Sequence, residues 1–241
     1  MKAYVFAAMA LSATSVSAHQ FYSSDYEFVK SEMLSLSTKE VTRLKIDAGA
    51  GSLSLVGTDT DEVSVKADIY QSEESSDYCL NLVEKGGTAK LQANVCHTRN
   101  NYTLIHLTVS LPSTLMTKIK DGSGSIKARD ASISFIDDGS GSIEVRDNIT
   151  ALEVEDGSGK IELVGIQGAL TVDDSSGKLR AEDIEGNVVV KDGSGNIVIE
   201  NVTGKVSVDD GSGNVTVRNA GAFELLGDDS GNVKLYDIKE Q

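Results

Sequence analysis

The sequence predicts an all-β chain whose main body is a parallel β-solenoid, read as a right-handed two-faced β-helix of about 18 residues per coil with an N-terminal β-hairpin cap. Three observations predict it. A tetrapeptide, Asp-Gly-Ser-Gly, recurs with its last glycine at Gly124, Gly141, Gly159, Gly177, Gly195, Gly213 and Gly231, a spacing of 17 once and 18 thereafter. Between the copies lie short runs of alternating apolar and polar residues, such as Asn196-Ile197-Val198-Ile199-Glu200 and Lys205-Val206-Ser207-Val208-Asp209, the pattern of half-buried strands. A further apolar residue falls out of strand phase at the first bend (Ile166, Ile184, Val202), as expected where a coil bends around its own core.

The turn has a mechanism of its own. Asp121, Asp138, Asp156, Asp174, Asp192, Asp210 and Asp228 lead the seven copies, and each can accept a hydrogen bond from the backbone N–H two residues on, closing an Asx-turn. The final glycine is present in every copy, whereas Ser175 and Asp229 replace the second one. Only the final position is therefore expected to require φ > 0. These residues form a structural turn ladder. The seven residues Ile126, Ile143, Ile161, Leu179, Ile197, Val215 and Val233 are expected to form one internal ladder. In the last coil Phe223 and Leu225 or Leu226 complete the inner set. An antiparallel meander would also alternate strand and turn, but identical turns one period apart suit coils stacked in register. A left-handed triangular β-helix would need an apolar residue at every sixth position, which the spacing does not supply.

Residues 1–18 read as a signal peptide: Lys2, a mostly apolar stretch from Ala3 to Ala13, then the small-residue site Val16-Ser17-Ala18. Cleavage would leave His19 first and place the protein in the periplasm, at the cell surface or outside the cell. No cysteine lies near the cut to carry a lipid anchor, and no later stretch is long and apolar enough for a membrane span. A formal charge of −15 disfavours nucleic acid and anionic membrane as partners. One proline, Pro112, and no tryptophan suit a regular stack of strands.

Residues 19–43 are weakly patterned and read as a lead-in, partly extended or disordered, and residues 44–241 as one solenoid domain. Leu44 to Leu55 looks like a degenerate first coil, and Val63 to Ala67 alternates as a strand. The period is lost in an insertion at about 70–112, where Cys79-Leu80-Asn81-Leu82-Val83, a Gly86-Gly87 turn and Leu91 to Cys96 read as a hairpin, and Leu104 to Pro112 as a return strand. Together they are expected to cover the N-terminal end of the stack. A register with Cys79 opposite Cys96 sets Leu80 against Val95, Leu82 against Ala93 and Asn81 against Asn94. The apolar pattern and an oxidising compartment thus both favour a Cys79–Cys96 disulfide.

This order of a strand pair from Leu44 to Leu55, a hairpin, a strand ending Val109-Ser110-Leu111-Pro112 and then Gly-x-Ile/Val-x-Val coils resembles a large family of exported bacterial β-strand-repeat proteins of unknown function, often labelled putative adhesins. The resemblance covers roughly Leu44 to the end. It implies a binding or structural role and transfers no catalytic residue.

Right-handed β-helices also include polysaccharide lyases and hydrolases, so a carbohydrate-active enzyme is the alternative. The acidic pairs Asp137-Asp138, Asp173-Asp174 and Asp209-Asp210 could in principle act as paired carboxylates, but their recurrence at the turns points to structure. His19, His97 and His106 show no triad or metal-ligand spacing. Asn-x-Thr sequences at Asn101, Asn148, Asn201 and Asn214 match a glycosylation acceptor that a bacterial protein would not use. No catalytic residue, metal or cofactor is expected. The expected partner is a protein or glycan of the cell envelope, with edge-to-edge self-association through residues 232–241 as a further route, because nothing remains after Gln241 to cover the last strands.

Overall fold

The computed structural model describes residues 26–72, 77–96 and 103–240. The proposed signal peptide, His19, His97 and Asn101 lie outside these residues. Seventeen strands and no helix make up the described chain, joined in one mixed and mostly parallel sheet.

Two parallel ladders organise it. The first runs β3 (Ala50–Thr58), β9 (Ser123–Arg129), β11 (Gly141–Asn148), β13 (Gly159–Ile166), β15 (Gly177–Ile184) and the start of β17 (Gly195–Glu240). The second runs β2 (Arg43–Ala48), β8 (Met116–Asp121), β10 (Ile133–Asp138), β12 (Leu152–Asp156), β14 (Leu170–Asp174), β16 (Val188–Asp192) and the middle of β17. Each coil gives one strand to each ladder, and like residues pair across the repeat: Ile143 with Ile161, Leu152 with Leu170, Val190 with Val208. Because β17 passes through both ladders, the sheet is joined there into a nearly closed wrap.

Alternation sends one face of each strand inward. Ile126, Ile143, Ile161, Leu179, Ile197 and Val215 are buried, and Val233 is half-buried where the stack ends. Ile136, Val154, Val172, Val190 and Val208 are buried on the second ladder, and Ile166, Ile184 and Val202 fill the bend. Full burial of each such side chain contributes roughly 1.5–3 kcal/mol. The last coil departs from the expected inner set: Phe223 is half-buried, but Leu225 and Leu226 are 43% and 57% exposed. Glu224 takes the position one period after Val206 and turns out to Lys205 (2.7 Å).

The N-terminal end differs from a simple cover. The hairpin β5 (Cys79–Lys85) and β6 (Thr88–Asn94) continues the second ladder, with β6 parallel to β2. β7 (Thr103–Pro112) continues the first, parallel to β3, and β4 (Glu62–Gln71) pairs antiparallel to it. Residues 27–37 are a full strand, β1 (Glu27–Ser37), antiparallel to β4. These strands satisfy the ladder edges that would otherwise be left unpaired.

Hairpin register is corrected by two residues. Lys85 pairs with Thr88 across the tight Gly86-Gly87 turn, both glycines having positive φ, so Cys79 faces Asn94, Leu80 faces Ala93, Asn81 faces Gln92 and Leu82 faces Leu91. A two-residue slip keeps every side chain on its face, which is why the apolar pattern alone could not distinguish the registers. Cys96 lies just past the strand end, and the Cys79–Cys96 disulfide closes with a Cα–Cα distance of 5.4 Å.

Candidate functional site

The Asp-Gly-Ser-Gly turn carries the chain from the second ladder to the first. Its Asp is the last residue of the incoming strand, two positions beyond a core valine or isoleucine, so alternation aims the side chain inward. Asp121, Asp138, Asp156, Asp174, Asp192 and Asp210 are only 1–5% exposed. The backbone N–H of the residue two on donates to Oδ1 at five of them: Ser140 to Asp138 (3.3 Å), Ser158 to Asp156 (3.3 Å), Ser176 to Asp174 (3.0 Å), Ser194 to Asp192 (3.1 Å) and Ser212 to Asp210 (3.1 Å). Asp228, in the last described repeat, is exposed.

The final glycine is required twice over. Its φ runs from 137° at Gly124 to 159° at Gly231, a region that side chains rarely enter. A Cβ at Gly124, Gly141, Gly159, Gly177, Gly195, Gly213 or Gly231 would also lie 1.5–1.9 Å from the carbonyl oxygen of the glycine one coil earlier.

The six aspartates form a column of buried carboxyls, and the Oδ2 atom of each has no hydrogen-bond partner among the described residues. Burial, and then the neighbouring Asp138, pushes Asp121 up to about 7. Burial is also the main cause that raises Asp156, Asp174 and Asp192 to about 6, and Asp138 and Asp210 move the same way. Buried carboxylates without partners hold protons more tightly than carboxylates in water.

Strand alternation splits each acidic pair. Asp138 and Asp174 face the core, whereas Asp137 and Asp173 face out and accept hydrogen bonds from Lys120 (2.6 Å) and Lys191 (3.4 Å). Two carboxyls on opposite sides of a strand cannot flank one glycosidic bond. His106 Nδ1 accepts from the Ser52 backbone N–H (3.0 Å), and its ring meets Tyr70 edge-on at 5.1 Å. Asn148 is buried, donating to the Ile133 (3.0 Å) and Thr150 (2.8 Å) carbonyls and accepting from the Ile133 N–H (2.8 Å).

A second turn ladder escaped the sequence reading. Asp130, Asp147, Asp183, Asn201, Asn219 and Asp237, with Gly165, all adopt φ between 52° and 70° at the other bend. The signal was present: one position in every coil is Asp, Asn or Gly, the residues that tolerate left-handed backbone. Beside it runs a shallow groove of about 400 Å³ lined in part by Asp147, Asp183, Glu185 and Asn201. Among the described residues no group of three or more His, Cys, Asp or Glu side chains is arranged to hold a metal.

The outer faces are polar. On the first ladder Arg146 bridges Glu144 (2.8 Å) and Glu162 (2.7 Å), and Glu200 is bridged to Arg180 and Arg218 (2.7 Å each). An amide ladder runs Asn232 to Asn214 (3.1 Å) and Asn214 to Asn196 (3.0 Å), ending on the terminal rung. No helix among the described residues is long and apolar enough to cross a membrane.

No family model matches the chain. No curated protein matches it either. Its fold is shared with a solved bacterial protein. A putative adhesin from Bacteroides fragilis NCTC 9343 superposes with a TM-score of 0.59 at 13% identity, over 86% of this chain and 97% of the other. A putative cell adhesion protein from Clostridium sporogenes ATCC 15579 aligns at 11% identity over 88% and 99% of the two chains with a TM-score of 0.37. A putative adhesin from Parabacteroides distasonis ATCC 8503 aligns at 14% over 86% and 97%, with a TM-score of 0.39. The Bacteroides fragilis protein bears the name often given to the family that the sequence resembles.

Proposed function

We propose that this chain is a non-enzymatic, exported, adhesin-like binding protein of the bacterial envelope, built as a right-handed two-faced β-solenoid. Residues 1–18 direct export, residues 44–241 form the domain, and the Asp and Gly turn ladders are structural. The parallel ladders in 18-residue register support the solenoid, and the general preference of parallel crossovers supports its hand. The partner is a protein or glycan, met by the outer strand faces or by the open C-terminal rung, residues 232–241.

The division of each acidic pair between core and surface carries this reading, because it turns the most enzyme-like feature of the sequence into turn structure on one side and surface ion pairs on the other. Incubation with isolated envelope polysaccharides tests it by measuring retention and released reducing ends together. Retention without release is expected, and sustained release would overturn the proposal. Sedimentation with and without residues 232–241 tests the rung: loss of self-association or of a bound partner on truncation is expected if that edge is the contact.

A further inference from the structure

On the outer face of the second ladder, Lys90, Lys45 and Lys118 stand directly opposite one another on the consecutive strands β6, β2 and β8. All three are exposed, and none makes an ion pair among the described residues. Arg43 lies two residues along β2 on the same face, and Lys85 lies two strands beyond it, across Thr88. Like charges directly opposite across strands are destabilising. One row over, Lys120 is neutralised by Asp137 at 2.6 Å. A chain of net charge −15 thus keeps a compact row of unneutralised cations at one end.

We propose that this row docks a linear acidic polysaccharide of the polyuronate type, an assignment that rests on the binding role above. Three features select that ligand. The row is only three strands across, about 10 Å, and Phe135 and then Glu153 follow Lys118 along it, while Asp47 borders it. A duplex or a bilayer would have to cover those acids, whereas a single narrow polymer would not. The half-buried Phe135 ring has the Lys118 ammonium over one face, 5.3 Å from its centroid, so that face is already occupied where single-stranded nucleic acid sites stack bases. The row itself is made of lysines, mobile point charges suited to carboxylates spaced along a chain.

Calorimetric titration of the full chain with polygalacturonate tests this, with neutral dextran, single-stranded poly-dT and phosphatidylglycerol-containing vesicles in parallel. Binding to polygalacturonate alone is expected, weakening as salt rises. Lys45→Gln, Lys90→Gln and Lys118→Gln together should weaken it about tenfold or more. Lys39→Gln, Lys127→Gln and Lys178→Gln, which remove the same charge elsewhere, should change it less than about twofold. The row variant should melt no lower than the parent, since it relieves repulsion. Equal binding by both variants, preference for poly-dT or vesicles, or no polyuronate binding would overturn the assignment. A neutral glycan or a protein retained undiminished by the row variant would overturn the row while leaving the general binding role standing.

Discussion

Asp156 and Asp174 stand directly opposite each other on adjacent parallel strands, both buried, each with Oδ1 held by a backbone N–H and Oδ2 without a partner among the described residues. One strand spacing, about 4.8 Å, separates such neighbours, so two negative charges there repel in a poorly solvated interior.

The stability of the protein should therefore fall as pH rises. Asp121 is pushed from an ordinary 3.8 to about 7, and Asp156, Asp174 and Asp192 to about 6. The folded state then binds more protons than the unfolded one between about pH 4 and pH 7, and stability declines across that window. Glu162, held low by its hydrogen bond from Lys160, works in the opposite sense but is largely solvent-screened. Thermal melts should give a midpoint roughly 5–10 °C higher at pH 5 than at pH 8. Asp174→Asn, which keeps the Oδ1 acceptor and removes the charge, should flatten the dependence. Asp174→Ala should flatten it too but also lose the turn bond, costing about 1 kcal/mol at pH 5 and less at pH 8, where the parent carries the buried charge.

Two neighbouring glycines should respond very differently to a side chain. Gly159 has φ 147°, and a Cβ on it would lie 1.6 Å from the Gly141 carbonyl oxygen; Gly159→Ala should cost roughly 2–4 kcal/mol. Gly157 occupies the place that Ser175 fills one coil later, and the N–H at each position donates to the preceding turn's Asp carbonyl (3.0 Å in both). Gly157 has no positive φ, but a Cβ there would lie 2.4 Å from the Gly139 carbonyl oxygen, so the backbone must give as it does around Ser175. Gly157→Ser should cost about 1–2 kcal/mol, less than Gly159→Ala. Chemical denaturation of the two variants checks the contrast.

The Cys79–Cys96 bond fastens the hairpin at the edge of the second ladder. Free-thiol titration of the denatured, unreduced protein should find none, and two per chain would contradict the pairing. Cys79→Ser with Cys96→Ser should lower stability by about 3 kcal/mol, with hydrogen exchange rising first in β5 and β6.

The repeat made the ladders legible because Ile161, Leu179 and Ile197 recur in one phase with the same glycine two residues before each. The N-terminal strands were less legible. β1 buries only part of Leu34 and Leu36 against its neighbours, and the exposed Phe28, Val29 and Met33 blur the apolar alternation in its sequence. The inward turn of Asp138 and its equivalents could have been read by counting alternation through the turn from Ile136. Their lack of an Oδ2 partner depends on how successive coils close over them, which no local pattern carries. The row Lys90, Lys45 and Lys118 joins residues far apart in sequence and exists only once the hairpin joins the ladder.

The most direct test of the parallel stack is a distance between spin labels at Lys118→Cys and Val189→Cys, with the native disulfide intact. The in-register row runs Lys118, Phe135, Glu153, Thr171, Val189 through β8, β10, β12, β14 and β16. Four strand spacings place the two backbones about 19 Å apart. A distance distribution centred near that value is predicted. One centred near about 38 Å, the eight spacings of strands paired in simple chain order, would contradict the account.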